Sequence, residues 1–299
     1  MIDVKVPATT ANLGPGFDTL GMGLSFYNEV QVKETASDLE IEIKGEGRTQ
    51  LPTTKDNLIY QAMKQLFTKV GYKPDGLYIK AINNIPLARG LGSSAAAIVG
   101  GLLAANELVE DKLSISELVN LATKIEGHPD NVSPALLGGI VVSNYKNNRV
   151  IYEKIAVPEL KIVVCIPDYE LSTSKSREVL PQQVQFDDAV FNVSHMGLLL
   201  TGFLKQDYKI IKEGLKDRLH QPYREKILPG FEKIRTQLES KALGIVLSGS
   251  GPTVIALTLE DEEEIGRKMV DFFAEEDVEA KYVVTTPTNQ GAQVIMNKK

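Results

Sequence analysis

The chain is expected to fold as an α+β protein, and three observations carry that expectation. Apolar and polar residues alternate from its start, in Met1-Ile2-Asp3-Val4-Lys5-Val6, the two-residue period of a half-buried strand. Strand-like runs such as Gly139–Asn144 and Val150–Lys154 follow each other closely enough to form antiparallel hairpins. The C-terminal part then alternates strand and helix. This mixture fits an α+β chain better than a doubly wound parallel sheet.

In order, strands are expected at Asp3–Pro7, Leu24–Lys33 and Leu39–Lys44, followed by a helix over Asn57–Val70 that opens at Asp56-Asn57. An alternating strand, Leu77–Ile82, leads through a glycine-rich turn into a small-residue helix, Ser93–Leu108. The helix Ser114–Glu126 opens on Ser114-Ile115-Ser116-Glu117, a capping-box pattern in which the serine and the glutamate each satisfy a free backbone N–H. Strands return at Gly139–Asn144, Val150–Lys154 and Lys161–Pro167. Val157-Pro158-Glu159 breaks the pattern and is the expected boundary between residues 1–156 and 157–299. Beyond it come helices Phe186–Lys205 and Phe231–Lys241, strands Leu243–Leu247 and Thr253–Leu257, helix Glu262–Phe273, and strands Ala280–Val284 and Val294–Asn297. The acids Glu260-Asp261-Glu262-Glu263-Glu264 read as a solvated first helical turn, favoured there by the helix dipole.

With 299 residues, 43% hydrophobic and 24% charged, the chain has the composition of a globular protein large enough to bury a real core. No apolar run approaches the roughly 18 residues that a membrane span needs, and the first residues lack the charged start and apolar middle of a signal peptide. A cytoplasmic location is therefore expected. The net charge of −6 argues against a nucleic-acid surface. There is no repeat or low-complexity tract. The single cysteine, Cys165, lies in the apolar run Ile162–Ile166 and reads as a buried strand residue.

The most restrictive stretch is Ile85-Pro86-Leu87-Ala88-Arg89-Gly90-Leu91-Gly92-Ser93-Ser94-Ala95-Ala96. A glycine turn feeding a helix start aims unpaired N–H groups and the positive end of the helix dipole at one spot, which suits a phosphate. Gly90 and Gly92 allow close approach and positive φ. Ser93 and Ser94 are expected to cap the helix and to offer hydroxyls to a phosphate or a metal ion. It is not a Walker A loop, because the lysine of G-x-x-x-x-G-K-[ST] is missing.

This stretch resembles the ATP-binding loop of the GHMP kinases, the family of galacto-, homoserine, mevalonate and phosphomevalonate kinases. Two further segments are similar to that family's motifs: Pro7-Ala8-Thr9-Thr10-Ala11-Asn12-Leu13-Gly14-Pro15-Gly16-Phe17-Asp18 to its N-terminal substrate motif, and Leu247-Ser248-Gly249-Ser250-Gly251-Pro252-Thr253 to its C-terminal glycine motif. The wording of the first, together with Glu126-Gly127-His128-Pro129-Asp130-Asn131 and His220-Gln221-Pro222-Tyr223-Arg224, resembles the homoserine-phosphorylating branch. The resemblance covers nearly the whole chain. It implies an N-terminal domain like ribosomal protein S5 domain 2, a ferredoxin-like C-terminal domain and a site between them. It also implies ATP and Mg²⁺ as cofactors, L-homoserine as the small-molecule partner, and a homodimer.

Residue by residue, the resemblance implies nucleotide binding by Pro86, Leu87, Ala88, Arg89, Gly90, Leu91, Gly92, Ser93, Ser94, Ala95 and Ala96, with Asn57 at the adenine; an ordinary N-cap is the competing reading of Asn57. Arg89 has no transferable role beyond its place in the loop and is expected to face solvent. Ser94 and Glu126 are the expected Mg²⁺ ligands, a hard cation being satisfied by one or two protein oxygens plus phosphate and water. Glu126 alone would read as an exposed helix-terminal acid. His128-Pro129-Asp130-Asn131 alone would read as a turn with an Asx cap opening Val132–Leu137. In the resemblance, Asn131 stands where other members carry a carboxylate. An amide cannot accept the proton, so Asn131 would hold the alcohol by hydrogen bonds while the proton leaves late, toward the phosphate. His128 is expected to hydrogen-bond in the substrate pocket, with a general-base role as the alternative. Arg177 and Arg224 would bind the substrate carboxylate, Asp18 and Asn12 its ammonium group, and Thr173 would approach the γ-phosphate. His195 and His220 show no metal-ligand spacing and read as structural. Two competing functions stay open: a GHMP kinase for another small alcohol of mevalonate or shikimate type, and a non-catalytic metabolite-binding relative.

Overall fold

The computed structural model describes residues 1–295. In chain order the first half contains β1 (Ile2–Asn12), β2 (Gly16–Thr35), β3 (Leu39–Gly45), α1 (Leu58–Val70), β4 (Gly76–Asn83), α2 (Ser93–Leu108), α3 (Ile115–Glu126), α4 (Pro129–Leu137), β5 (Ile140–Lys146) and β6 (Arg149–Ile155). The second half contains β7 (Lys161–Pro167), α5 (Thr173–Glu178), α6 (Phe186–Lys205), α7 (Tyr208–Gly214), α8 (Gln221–Arg224), α9 (Phe231–Leu238), β8 (Gly244–Leu247), β9 (Val254–Thr258), α10 (Glu262–Ala274), β10 (Ala280–Thr285) and β11 (Gln293–Ile295). The expected strand Val294–Asn297 falls within β11 as far as Ile295, and its last two residues lie outside the described range.

The first sheet runs β11-β1-β2-β4-β3, with β5 on the early part of β2 and β6 on β5. Every pairing in it is antiparallel except β3 with β4. The 20-residue β2 bends between two partners, pairing through Leu20–Met22 with β5 and through Glu29–Thr35 with β4. The sequence reading started this strand eight residues late. One of the glycines near its start is there because α4 lies against the strand: a Cβ on Gly21 would stand 1.7 Å from the Asp130 carbonyl oxygen. The helix α2 crosses this sheet and is buried on most of its faces, which accounts for its small residues; a Cβ on Gly100 would meet Val30 Cγ2 at 2.6 Å.

The second sheet runs β10-β7-β9-β8, wholly antiparallel. Read along the chain as β7-α9-β8-β9-α10-β10, this is the split βαβ arrangement of a ferredoxin-like domain. Its own core gathers Phe231, Ile234, Leu247, Met269 and Phe273. Cys165 is buried in β7, and burial pushes its thiol up to about 12. The last strand leaves this sheet and pairs with β1, Asp3 opposite Ile295.

Four α-helices lie outside the sequence expectations. Pro129–Leu137 is helical although Pro134 stands inside it, and Asn131 lies in its first turn, whereas the segment taken alone reads as an Asx cap opening Val132–Leu137. The short α5, α7 and α8 lack the length that would give a helical period. Among the described residues no helix is long and apolar enough to cross a membrane.

Candidate active site

Six segments meet in one cleft: the loop before α2, the β1–β2 turn, the junction of α3 with α4, the start of α5, α8 through Arg224, and the turn after β8. The loop supplies the floor. Gly92 caps α2 with φ +71°, and no side chain satisfies the first N–H groups of that helix. The expected serine cap is therefore corrected: Ser93 Oγ turns back to the Ile85 carbonyl at 3.4 Å, and Ser94 Oγ donates to Glu126 Oε2 at 2.8 Å. The open N–H groups point into the cleft, where an anion would satisfy them.

The loop is clamped from both sides. Ser248 Oγ donates to the Gly90 carbonyl at 2.6 Å, and a Cβ on Gly90 would stand 2.2 Å from the Ser248 carbonyl oxygen. Thr9 N–H donates to the Leu91 carbonyl at 3.1 Å. Pro86, Ala88, Arg89, Gly90, Leu91, Gly92, Ser93 and Ser94 line the cleft. Leu87 faces a neighbouring groove instead, and Ala95 and Ala96 are wholly buried beneath the first turn. Arg89 does not simply face solvent, as expected; it is mostly covered and pairs with Asp168 at 3.4 Å and Glu170 at 3.7 Å.

Asn57 stands apart from this constellation. It caps α1, its oxygen accepting Ile59 N–H at 3.0 Å while its amide donates to the Pro52 carbonyl at 2.8 Å. Both ends of the side chain are thus committed to the local chain, as the N-cap reading expects. Asn57→Ala is expected to cost about 1 kcal/mol of stability, read from a denaturant melt, with no change in nucleotide affinity.

Glu126 ends α3 beside Ser94, and burial holds its carboxyl above the usual range despite the serine hydrogen bond. Next along the chain, His128 and Asn131 line the cleft from the start of α4. Thr9 Oγ1 donates to Asn131 Oδ1 at 2.8 Å. Between them sits Asp130, a residue to which the sequence reading gave no role. It is 5% exposed and lines the cleft, and burial, reinforced by the charge of Asp18, pushes its carboxyl up to about 7.

The opposite wall carries the two arginines. Arg177 Nη2 donates to Asp18 Oδ1 at 2.6 Å, and its buried Nε has no partner. Arg224 is buried, donating through Nη1 to the Gly249 carbonyl at 3.1 Å and through Nε to the Ser176 carbonyl at 3.2 Å. Burial and the like charge of Arg177 lower it to about 10, so it stays cationic at neutral pH. Phe17 stands between the guanidinium groups, its ring 5.3 Å from Arg177 Cζ and 5.2 Å from Arg224 Cζ. That contact was not foreseen; it lets the aromatic face offset part of the repulsion between two cations. Asn12 lines the same cleft; its oxygen accepts Asp18 N–H at 3.0 Å and its amide donates to the Gly249 carbonyl at 2.8 Å, so it also holds the backbone at Asp18. Thr173 opens α5 at the cleft rim, 3.5 Å from Ser250 Oγ. His220 lies behind Arg224, bonded to the Gly14 carbonyl at 2.8 Å and outside the cleft, and His195 packs on Phe191.

Residues 57–139 match the family model described as GHMP kinases N terminal domain, and residues 199–275 match GHMP kinases C terminal. The homoserine kinase of Carboxydothermus hydrogenoformans is 47% identical over 100% of this chain and 98% of its own length. That of Petrotoga mobilis is 46% identical over 99% and 97%. The crystal structure of homoserine kinase from Cytophaga hutchinsonii superposes with a TM-score of 0.90 at 31% identity, covering 98% of this chain and 97% of that one. A mevalonate kinase from L. major, 18% identical with a TM-score of 0.70 over 95% of each chain, shares the fold. A glycine loop at an open helix end, facing paired arginines and acids in a chain matched along its whole length by these enzymes, places the protein in the homoserine kinase branch of the GHMP kinase family.

Proposed function

We propose that the protein transfers the γ-phosphoryl group of ATP to the side-chain hydroxyl of L-homoserine, giving O-phospho-L-homoserine for threonine synthesis in the cytoplasm. The observation that carries this reading is the charge content of the cleft. Arg177 and Arg224 stand against Asp18 and Asp130 on the walls of one pocket. Two cations and two acids complement a zwitterion; an acid without an ammonium group would leave the carboxylates unanswered, a costly buried charge. We take residues 1–156 and 157–299 as the two domains, with β11 of the second returning to the sheet of the first.

The substrate carboxylate binds between Arg177 and Arg224, whose side chains both line the pocket and whose guanidinium forks suit it. The ammonium group sits between Asp18 and Asp130. The four-carbon chain then extends toward Asn131, whose NH₂ donates to the hydroxyl, its oxygen being held by Thr9. The ATP phosphates lie on the α2 N-terminus and the loop, with Thr173 at the γ-phosphate. Asn131 cannot take the proton, so the hydroxyl proton passes to the transferred phosphate as the bond to it forms, which a loose phosphoryl transition state tolerates. Ser94 and Glu126 fit a Mg²⁺ ion: they offer two adjacent oxygens, and a cation would relieve the burial that raises Glu126. Such an ion, when bound, would neutralise charge on the phosphates. His128 makes a further hydrogen bond to the substrate.

The test is ADP release with L-homoserine, L-threonine, mevalonate, shikimate and galactose. L-homoserine is expected to be preferred, and L-threonine to inhibit competitively, because its head group matches but its hydroxyl stands one carbon short. A preference for mevalonate or shikimate overturns the substrate assignment.

A pH dependence follows from Asp130. Its carboxyl is raised from 3.8 to about 7, so between those values the folded chain holds a proton that the unfolded chain has released, and stability falls as pH rises. The bound ammonium group favours the ionised form. The KM for homoserine is therefore expected to fall as pH rises through about 7, and Asp130→Asn is expected to flatten that profile. A profile unchanged in Asp130→Asn would remove Asp130 from ammonium binding.

A further inference from the structure

We propose that His220 is a positioning residue for substrate binding: its imidazole fixes the Arg224 guanidinium and ties it to the turn between β1 and β2. The proposal rests on the reading of Arg224 as a carboxylate ligand. His220 stands just before α8 and Arg224 ends that helix, and both are buried, at 0% and 1% exposed. Arg224 Nη1 donates to His220 Nδ1 at 3.1 Å, and the other ring nitrogen, Nε2, lies 2.8 Å from the Gly14 carbonyl oxygen. A guanidinium only donates and a carbonyl oxygen only accepts. One form of the ring makes both bonds at once: neutral, with its proton on Nε2 and a bare lone pair on Nδ1.

The competing reading is a buried ion pair, because Asp217 Oδ2 lies 3.5 Å from Nε2. Two observations oppose it. An imidazolium would turn an N–H against the N–H of Arg224. The Asp217 carboxylate is also already satisfied, accepting from the backbone N–H groups of Leu219, His220 and Gln221 and from the Asn192 amide at 2.7 to 3.1 Å. Burial agrees, holding the imidazole below its usual range.

The consequence falls on the arginine. Its Nε donates to the Ser176 carbonyl, and its Nη1 to the Gly249 carbonyl and to His220. Nη2 is left as the one guanidinium nitrogen of Arg224 without a hydrogen bond among the described residues, in a side chain that lines the cleft. Gly14 belongs to the turn that carries Phe17 and Asp18, and the Phe17 ring stands 5.2 Å from the imidazole. One ring thus registers Arg224 against a turn 206 residues away in the chain. Without the Nδ1 acceptor, a buried N–H of Arg224 loses its partner, and the guanidinium is free to turn.

Two substitutions separate the two bonds. Asparagine offers an amide acceptor near the place of Nδ1, and glutamine an amide donor near that of Nε2. KM is measured with whichever alcohol of the panel the wild type accepts best. His220→Gln is expected to raise it about tenfold, the size of one lost hydrogen bond to a charged group, with ATP KM near wild type. His220→Asn is expected to recover most of that loss. Equal KM values in the two variants, or the reverse order, would mean a ring kept only for its bulk and its tie to Gly14, and overturn the role.

A second measurement needs neither variant to fold. The chain has three histidines, and ¹⁵N NMR of the imidazoles at neutral pH separates them; the His220 signal is the one that persists in both His128→Gln and His195→Gln. It is expected as the neutral Nε2–H tautomer. An imidazolium, or the Nδ1–H tautomer, overturns the proposal. The spectrum is taken without substrate, so rejection of L-homoserine in the panel overturns the substrate assignment and leaves this result to stand or fall by itself.

Discussion

Replacing Glu126 by glutamine is expected to lower kcat by about 10²–10³-fold, the loss usual when one charge-stabilising group is removed from a transition state. The substitution keeps the shape of the side chain at the end of α3 and preserves a partner for the Ser94 hydroxyl, so the melt should hold. It removes the negative charge that would hold Mg²⁺ against the phosphates. Ser94→Ala should lower kcat in the same direction. Because Ser94 Oγ touches Glu126 Oε2 at 2.8 Å, the double variant should lose less than the two single losses together. Steady-state kinetics at saturating Mg²⁺ decides this. Near-native turnover in both single variants removes these residues from metal binding.

The second large effect is expected on substrate affinity. Arg177→Lys should raise the homoserine KM about 10- to 100-fold and leave the ATP KM near wild type. A lysine can still reach Asp18, but it cannot present a second donor in the plane of a carboxylate, and the Nε that now lies buried without a partner is lost. The pair between Arg177 and Asp18 is about one-third exposed on each side, so its removal should cost little stability. An Arg177→Lys variant impaired toward ATP rather than homoserine would move this residue to the nucleotide side of the cleft.

Much of the fold is legible where local chemistry and tertiary structure agree. The helix α2 begins and ends where small residues and the glycine turn place it, and Ser114 with Glu117 forms the capping box that its spacing announces. Legibility fails where a neighbour decides. Gly21 suggests a turn until α4 is seen lying on the strand it occupies. Pro134 argues against a helix that its packing nevertheless sustains. In the cleft the motif residues are mostly brought together, but their division of labour is not written in their order. Asp130 sits between two residues with assigned roles, and only its burial beside Asp18 gives it chemistry. Asn12 holds the backbone at Asp18 and Gly249, two contacts that its place in the motif does not announce. Phe17 gains its place from two arginines that lie far away in the chain.

The return of β11 to the edge of β1 changes how the enzyme can breathe. Two lobes joined by one linker can swing apart about it. Here the chain crosses the cleft near Val157–Leu160 and crosses again after β10, where Thr286, Thr288 and Ala292 are bonded to Ser25, Gly23 and Ala135. Two crossings tie the lobes together more firmly than one would, and a calorimetric scan is therefore expected to show both melting in a single transition.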